Sequence, residues 1–581
     1  MRLADPRWIV RSLPVAVVVL VLLLIPPVFL SEFDQYNATT AAIFAIALLG
    51  LGVVTGRAAL ICLAQTAFMA VGAFVILWLN VHAPGMPFLI KLVIASLITV
   101  PIGVLVSLPA LRLRGINLGV VTLAFSTALT VYLSVKGFPG AKQANFIERP
   151  DALMSEGSFY LFAAGAFIVV ALIVTILGRT NIGSSWSALR ESERATAALG
   201  RSAPIAKMTA FGVSALCGGV AGAIFAVQLG TAEPSGSLSP LGSLSLFALA
   251  IMVGSRFVEG ALIGGALFAF MPTILKLLGL PQDIGDIFFG VGAILGLRRG
   301  FGAAEDIRDV LHRRRRKTAE LGVAEPPVGY EPPSVPAPAD GSAAALVVEG
   351  LTFSYGQVKA LEDVSITVPH GSVVALIGPN GAGKSTFIDC VTGFNRSYSG
   401  SVSAAGSPID GYSAHERAHH GVRRSFQQGR TIPDLSIEEY LRLGLSREQR
   451  RVATPDFIDD LLAFFSCPPR DTRVGDIDVG TRRLLEVAGA VAAQPELVLL
   501  DEPAAGLGGE ESEEIARRIA EIPGRYGPSV LLVEHDMELV TAIAQHVVVL
   551  DFGRVIADGT PDVVLSDPKV VSAYLGEEVE V

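Results

Sequence analysis

The sequence predicts a polytopic α-helical membrane domain followed by an α/β domain of the P-loop nucleotide-binding type. Three observations carry this. The first half is a series of apolar stretches long enough to cross a bilayer. The second half contains Gly378-Pro379-Asn380-Gly381-Ala382-Gly383-Lys384-Ser385-Thr386, preceded by a β-branched apolar run and followed by a helix-like stretch. Between the halves lies a basic run and then a Pro-rich segment.

Composition sets the frame. With 581 residues, 17% of them charged, and a mean hydropathy of +0.55, the chain is too apolar for a wholly soluble protein and long enough for several domains. The basic run His312 to Lys317 lacks interleaved aromatics, so a tether near anionic lipid is expected there and a nucleic-acid site is not. Cys62, Cys217, Cys390 and Cys467 form no CxxC pair, and neither a disulfide framework nor a metal cluster is expected. Arg2, Arg7 and Arg11 precede an apolar run without a convincing cleavage site, which reads as an uncleaved first span.

A helix needs roughly 20 residues to cross the hydrocarbon core. Candidate spans are 13–30, 39–55, 59–79, 89–110, 116–135, 159–177, 205–229, 241–253, 260–278 and 284–297, of which the eighth and tenth are short. If the N-terminus is cytoplasmic, the inside loops hold Arg57, Arg112, Arg114, Arg179, Arg190, Arg194, Arg201, Arg256, Arg298 and Arg299. Outside loops are nearly free of Lys and Arg apart from Lys136, Lys142 and Arg149. This positive-inside pattern favours an even number of crossings, ten with eight as the alternative, and delivers the second half to the cytoplasm. The domains expected are 1–303 (membrane), 304–345 (basic and Pro-rich linker) and 346–581 (nucleotide-binding).

The chemistry concentrates in the second half. Gly378, Gly381 and Gly383 allow a tight turn whose N–H groups face phosphate oxygens. Lys384 can neutralise the β- and γ-phosphates of ATP and Ser385 can ligate Mg2+, while the helix that follows adds its positive end. Downstream, the apolar run 497–500 ends in Asp501-Glu502: Asp501 suits Mg2+, and Glu502 is placed to orient or deprotonate an attacking water. A third apolar run, 529–533, leads into Glu534-His535-Asp536, and His535 at such a strand end can contact the γ-phosphate.

On these motifs, residues 346–581 resemble an ATP-binding-cassette (ABC) ATPase, and more narrowly those of branched-chain amino-acid (Liv-type) importers. The narrower likeness lies in LLVEHDMELV and VIADGTPDVVLSDPKVVSAYLGE. The resemblance implies that Tyr355 stacks on adenine. It implies that Gln427 in Arg424-Ser425-Phe426-Gln427 contacts Mg2+ and water and senses the membrane domain. Asp501 and Glu502 become the Walker B aspartate and catalytic glutamate, and His535 the switch histidine. Cassettes also carry a Leu-Ser-Gly-Gly-Gln-like signature that grips ATP held by the opposite subunit. The aligned residues here are Ile477-Asp478-Val479-Gly480-Thr481, where only Gly480 is retained and Asp478 replaces the serine. Two like charges about 4 Å apart repel by roughly 4 kcal/mol at an effective dielectric of 20, so a degenerate site is expected; equally, Asp478 suits a helix cap.

The first half resembles the permeases of the same importers. TGRAALICLAQTAFMAVGAF (55–74) and LRLRGINLGVVTLAF (111–125) carry the likeness, the latter closest to the M-type subunit. Gln65 is the strongly polar group of its span and either lines a pathway or ties helices together. Residues 186–200 read as a short surface helix ending in Gly200 and match the coupling segment that docks on the ATPase, with Ala197 in place of the family's usual glutamate. The expected whole is an importer half, with permease and ATPase fused in a bacterial inner membrane and the ATPase in the cytoplasm. It would act with ATP, Mg2+, a second permease, a second ABC ATPase with an intact signature, and a periplasmic or lipid-anchored binding protein. An ABC exporter half-transporter and an ATP-binding membrane sensor with little hydrolysis are the alternatives.

Overall fold

The computed structural model describes residues 30–139, 147, 149–230, 238–281, 284–299, 302–304, 322–330, 344–426, 431–446 and 449–575. The first candidate span, Gln427, the basic run and most of the Pro-rich segment lie outside these residues. The chain forms two compact units. One comprises Met1–Trp186 and Pro204–Ala319, the other Ser187–Ala203 and Glu320–Val581.

Within the first unit's described residues, seven helices are long and apolar enough to cross a membrane: Glu32–Arg57, Gln65–His82, Phe88–Ser107, Ile116–Lys136, Glu156–Gly178, Ala203–Leu229 and Val258–Leu277. Two shorter helices, Pro240–Val253 and Ile284–Arg299, fall on the eighth and tenth candidate stretches. Their burial separates them into classes. The apolar windows of Glu32–Arg57 and Ala203–Leu229 are 83% buried, whereas those of Ile116–Lys136 and Glu156–Gly178 are 28% buried, so the former pair forms the centre of the unit.

Small residues allow helix Ala203–Leu229 to touch helix Gln65–His82. A Cβ on Gly222 would stand 1.8 Å from the Met69 carbonyl oxygen, and one on Gly72 would stand 2.3 Å from that of Gly219. This is the close backbone approach by which apolar helices associate where no hydrophobic drive acts between them.

The permease-like motif at 55–74 is not one helix. The last six residues of Glu32–Arg57 widen into a π-helical turn over Gly52–Arg57, the chain breaks, and a new helix starts at Gln65. Polar backbone freed at such a break must find partners inside the protein. Here Leu63 N–H donates to Thr122 Oγ1 at 3.0 Å. Gln65 is buried; its Nε2 donates to the Ala47 carbonyl (3.0 Å), and its Oε1 accepts from Ser214 Oγ (2.8 Å). Of the two readings of Gln65, the structure supports the helix tie.

The second unit is layered. A six-stranded sheet has the order β10-β9-β3-β8-β7-β6, with β3 Val373–Ile377, β6 Val422–Arg424, β7 Leu497–Asp501, β8 Ser529–Val533, β9 His546–Asp551 and β10 Arg554–Gly559. All neighbours pair in parallel except β10 with β9. A four-stranded antiparallel sheet, order β2-β1-β4-β5, contains β1 Ala344–Tyr355, β2 Val358–Pro369, β4 Ser399–Ala404 and β5 Ser407–Pro408.

Strands buried on both faces read as continuous apolar runs, and alternation assigns their side chains. Leu497, Leu499, Leu531 and Val533 join the core that holds Phe387, Ile388 and Val391 of helix Lys384–Val391. Val498, Leu500, Val530 and Leu532 face the opposite core, formed with helices such as Pro455–Phe464 and Val479–Val491. By the same parity Asp501 emerges on the side of the phosphate-loop helix.

Of the Pro-rich stretch, the described part 322–330 packs against this second unit. Ala324 is buried and its N–H donates to the Cys467 carbonyl at 2.9 Å, and Tyr330 lies against the same core. Residues 187–203 also belong to this unit. Instead of one helix ending at Gly200, the segment has helices Asn181–Glu191 and Glu193–Ala198 separated by Ser192, which is extended and caps the second by accepting from Ala195 N–H.

Candidate functional site

Parallel strands direct the loops at their carboxyl ends to one crevice, where ligands bind in open α/β sheets. The loop after β3 is the glycine-rich run. Gly378 (φ 147°), Gly381 (φ 86°) and Gly383 (φ 105°) all adopt positive φ, and a Cβ at Gly378 would stand 2.1 Å from the Leu550 carbonyl oxygen. Asn380, Gly381 and Ser385 are exposed, and Lys384, Ser385 and Thr386 open helix Lys384–Val391. Its N-cap, Gly383, supplies no side-chain acceptor, so the first-turn N–H groups stay available to an external anion. Lys384 Nζ bends back to donate to the carbonyls of Gly378 (2.6 Å) and Pro379 (3.0 Å). Burial lowers its pKa, against the opposing pull of Glu502 and Asp501.

The carboxylates come from β7. Asp501 is buried, and burial pushes its carboxyl above the ordinary range although Arg424 works the other way. Arg424 Nη2 donates to Asp501 Oδ2 at 2.9 Å. Glu502 sits in the left-handed region at φ 48°, which is strained for a non-glycine residue; its N–H donates to the Val533 carbonyl at 2.9 Å, fixing it to the end of β8. His535 is 67% exposed, with Nδ1 3.7 Å from Glu534 Oε2.

Sequence reasoning left Glu534 without a role. It is buried, with Oε1 accepting from Ala504 N–H (3.2 Å) and Oε2 from His535 N–H (3.2 Å). It thus fastens the turn after Glu502 to the backbone of His535, and burial raises its pKa. The available signal was a carboxylate directly after the apolar run Val530–Val533.

Other predicted residues lie on separate elements. Tyr355 ends β1 of the antiparallel sheet; it is exposed and accepts at its hydroxyl from Asn395 Nδ2 (3.0 Å). Gln427 is outside the described residues, but the segment before it is pinned. Ser425 N–H donates to the Leu499 carbonyl at 2.9 Å, and Phe426 N–H to Glu486 Oε1 at 2.9 Å.

Asp478 is the N-cap of helix Val479–Val491. Its Oδ1 accepts from Thr481 N–H (2.8 Å) and its Oδ2 from Thr481 Oγ1 (2.7 Å). Burial would raise its pKa, but these hydrogen bonds outweigh it and hold the carboxyl below the ordinary range. A Cβ on Gly480 would lie 3.1 Å from Glu511 Oε1, so a second carboxylate borders this turn.

Segment 187–203 meets the same unit through charge. Arg190 pairs with Asp434 (3.5 Å), Arg194 pairs with Asp389 (3.2 Å), and Arg201 Nε donates to the Leu443 carbonyl (2.8 Å). The buried Arg423 donates from Nη1 to the Ala198 carbonyl (3.3 Å) and from Nη2 to that of Gly444 (2.6 Å). Burial and then Arg201 bring its pKa down to about 10.

Comparison with known proteins agrees with this division. Residues 35–296 match the family model of the permease component of the branched-chain amino acid transport system. Residues 361–505 match the ABC transporter model, and 554–580 that of the branched-chain amino acid ATP-binding cassette transporter. The high-affinity branched-chain amino acid transport ATP-binding protein BraF of Pseudomonas aeruginosa is 35% identical over 253 residues, covering 40% of this chain and 98% of BraF. The corresponding LivG of Escherichia coli is 32% identical over 249 residues, covering 40% of this chain and 98% of LivG. A solved nucleotide-free ATP-binding cassette from an ABC transporter is 29% identical, with a TM-score of 0.36 over 40% of this chain and 100% of its own. The chain therefore belongs to the branched-chain amino-acid ABC transporter family, a multi-pass membrane protein in which the permease component and the ATP-binding, ATP-hydrolysing cassette form one polypeptide.

Proposed function

We propose that the chain is one half of an importer that spends ATP to carry branched-chain amino acids, or a closely related small polar solute, across a bacterial inner membrane. The observation that carries it is the convergence, in a chain that also contains the permease, of the phosphate loop 378–386, Asp501-Glu502 and His535 at the carboxyl ends of β3, β7 and β8. Its partners are a second permease, a second ABC ATPase with an intact signature, and an extracytoplasmic substrate-binding protein.

In this reading the loop glycines and the uncapped start of helix Lys384–Val391 receive the ATP phosphates, and Tyr355 stacks on adenine. Lys384 leaves the carbonyls of Gly378 and Pro379 for the phosphates. Ser385 and Asp501 hold Mg2+ together with Gln427; a hydroxyl and a carboxylate are the hard oxygen donors that ion takes. When bound, Mg2+ neutralises charge on the β- and γ-phosphate oxygens. Glu502 orients the attacking water and accepts its proton, and Glu534 keeps the Glu502 turn in register with His535. Segment 187–203 passes the motion of the cassette dimer to the permease.

The anionic turn at Asp478 supports a heterodimer. The competent site would pair this chain's phosphate loop with the partner's signature, and the opposite site would be degenerate. The test is reconstitution in proteoliposomes, with and without the partner ATPase and the binding protein. Leucine uptake that needs ATP and both partners is expected; vigorous ATP hydrolysis by the chain alone would sink the heterodimer, and outward transport would sink the importer.

A further inference from the structure

Four charged side chains form a continuous line inside the second unit. Arg194, on helix Glu193–Ala198, places Nη1 3.2 Å from Asp389 Oδ2. Asp389 lies on helix Lys384–Val391, five residues beyond Lys384. Its other oxygen, Oδ1, accepts from Nη1 of Arg424 at the end of β6. Nη2 of that same guanidinium donates to Asp501 Oδ2 at 2.9 Å. Side-chain exposure is 5% for Arg424, 10% for Asp389 and 9% for Asp501, but 53% for Arg194.

Phe394 and Phe426 enclose the line. The Arg424 guanidinium carbon is 4.8 Å from the Phe426 ring centre, and that of Arg194 is 5.4 Å from Phe394. Without Arg194 the buried trio carries two carboxylates and one guanidinium; with it the charges balance.

We infer that Arg424 is a positioning residue that orients Asp501 for Mg2+-nucleotide, and that Arg194 adjusts its hold by sharing Asp389. A guanidinium is a rigid fork, so a single Arg424 conformation satisfies both carboxylates. Its grip holds Oδ2 of Asp501 and leaves the other oxygen, Oδ1, outside that bond. Arg194 competes for Asp389: when it is seated, Arg424 is drawn less to Asp389 and holds Asp501 more firmly. When segment 187–203 withdraws, Asp389 keeps Arg424 as its cation, and the hold on Asp501 loosens. The exposed end of the line is the one that moves; the buried end is the one that meets the nucleotide. This rests on the proposed role of Asp501 as a Mg2+ ligand.

The test measures binding of a fluorescent ATP analogue to the purified full chain in nanodiscs, once with Mg2+ and once with EDTA, and reads the ratio of the two affinities. Arg424→Met is expected to lower the ratio about tenfold, the loss of one charge-assisted hydrogen bond, with the EDTA affinity serving as the folding control. Arg424→Lys, which keeps the charge but loses the fork, is expected to recover part of it. Arg194→Ala is expected to lower the ratio about threefold, as fits a half-exposed ion pair, and to have no further effect in the Arg424→Met background. An unchanged ratio in Arg424→Met, an equal loss with and without Mg2+, or additive Arg194 and Arg424 effects each overturns the inference. Should Arg424→Met not fold, Asp389→Asn with and without Arg194→Ala gives the same non-additivity test. Asp501→Asn separates the two readings: if it leaves the ratio intact, the Mg2+ assignment itself falls; if it abolishes the ratio while Arg424→Met does not change it, only the relay falls. No transported solute enters the assay, so it is independent of the importer's direction.

Discussion

The loop Gly378–Thr386 and the turn Ile477–Thr481 each lead into a helix, yet they offer an anion opposite receptions. Helix Lys384–Val391 is capped by Gly383, which has no side chain to occupy the first-turn N–H groups, and Lys384 stands beside it. Helix Val479–Val491 is capped by Asp478, whose carboxylate takes Thr481 N–H for itself, and Glu511 borders Gly480. A helix N-terminus welcomes an external phosphate when its own cap leaves it bare, and resists one when the cap is an anion. The difference teaches that good helix capping and good phosphate binding compete for the same N–H groups. Asp478 resolves that competition in favour of the helix.

The contrast can be broken hardest at the loop's side of the crevice. Glu502→Gln keeps size and loses the base, so ATP turnover by the chain with its partner ATPase should fall by about 10²–10⁴-fold while ATP-bound dimers accumulate. Phosphate release and size-exclusion chromatography measure the two effects; unchanged turnover would remove Glu502 from the reaction. Next comes the signature. Asp478→Ser removes the anion and retains a capping side chain, so the chain alone should hydrolyse ATP at least about tenfold faster, given the size of the repulsion removed. No gain in a steady-state assay means that the charge at this turn is not what limits it.

Smaller effects bear on stability. Glu502→Gly relieves a left-handed backbone that costs about 1–3 kcal/mol, offset by about 0.5–1 kcal/mol of glycine entropy, so the inactive variant should melt at a higher temperature. Asp478→Ala should cost about 1 kcal/mol through the lost cap, whereas Asp478→Asn should cost little at neutral pH. The pH dependence has a definite sign. Because hydrogen bonds hold the folded Asp478 carboxyl below its ordinary value, its stabilisation is fully present above the unfolded value of about 4 and is lost as pH falls through the lower folded value. Asp478→Asn should therefore flatten the acid limb of thermal stability; an unchanged limb refutes the assignment.

What could be read from sequence was what is local. The phosphate loop, the strand ends at Asp501 and His535, and the capping capacity of Asp478 each depend on a few consecutive residues, and the structure places them at loops, strand ends and helix starts. The line Arg194–Asp389–Arg424–Asp501 was illegible, because its members are separated by up to 307 positions (501 minus 194) and meet only through sheet order and helix docking. Gln65 left two readings open because polarity in a span does not say which way a side chain turns; the Ala47 carbonyl and Ser214 provide the direction. The break at Ser192 was missed because Ser-Glu inside a helical pattern reads as polar surface as readily as a new cap.

The strap 322–330 extends the packed surface of the cassette upstream of its first strand. Composition reads it as spacer, but Ala324 completes a backbone hydrogen bond with Cys467 and Tyr330 covers the core beside it. A protease cut or a gene split placed just before β1 would therefore strip a piece from the cassette's own surface. It would leave behind an apolar scar that a stand-alone ATPase would have to cover in some other way. In this polypeptide the packed surface of the cassette begins upstream of its first strand, within what looks like packaging.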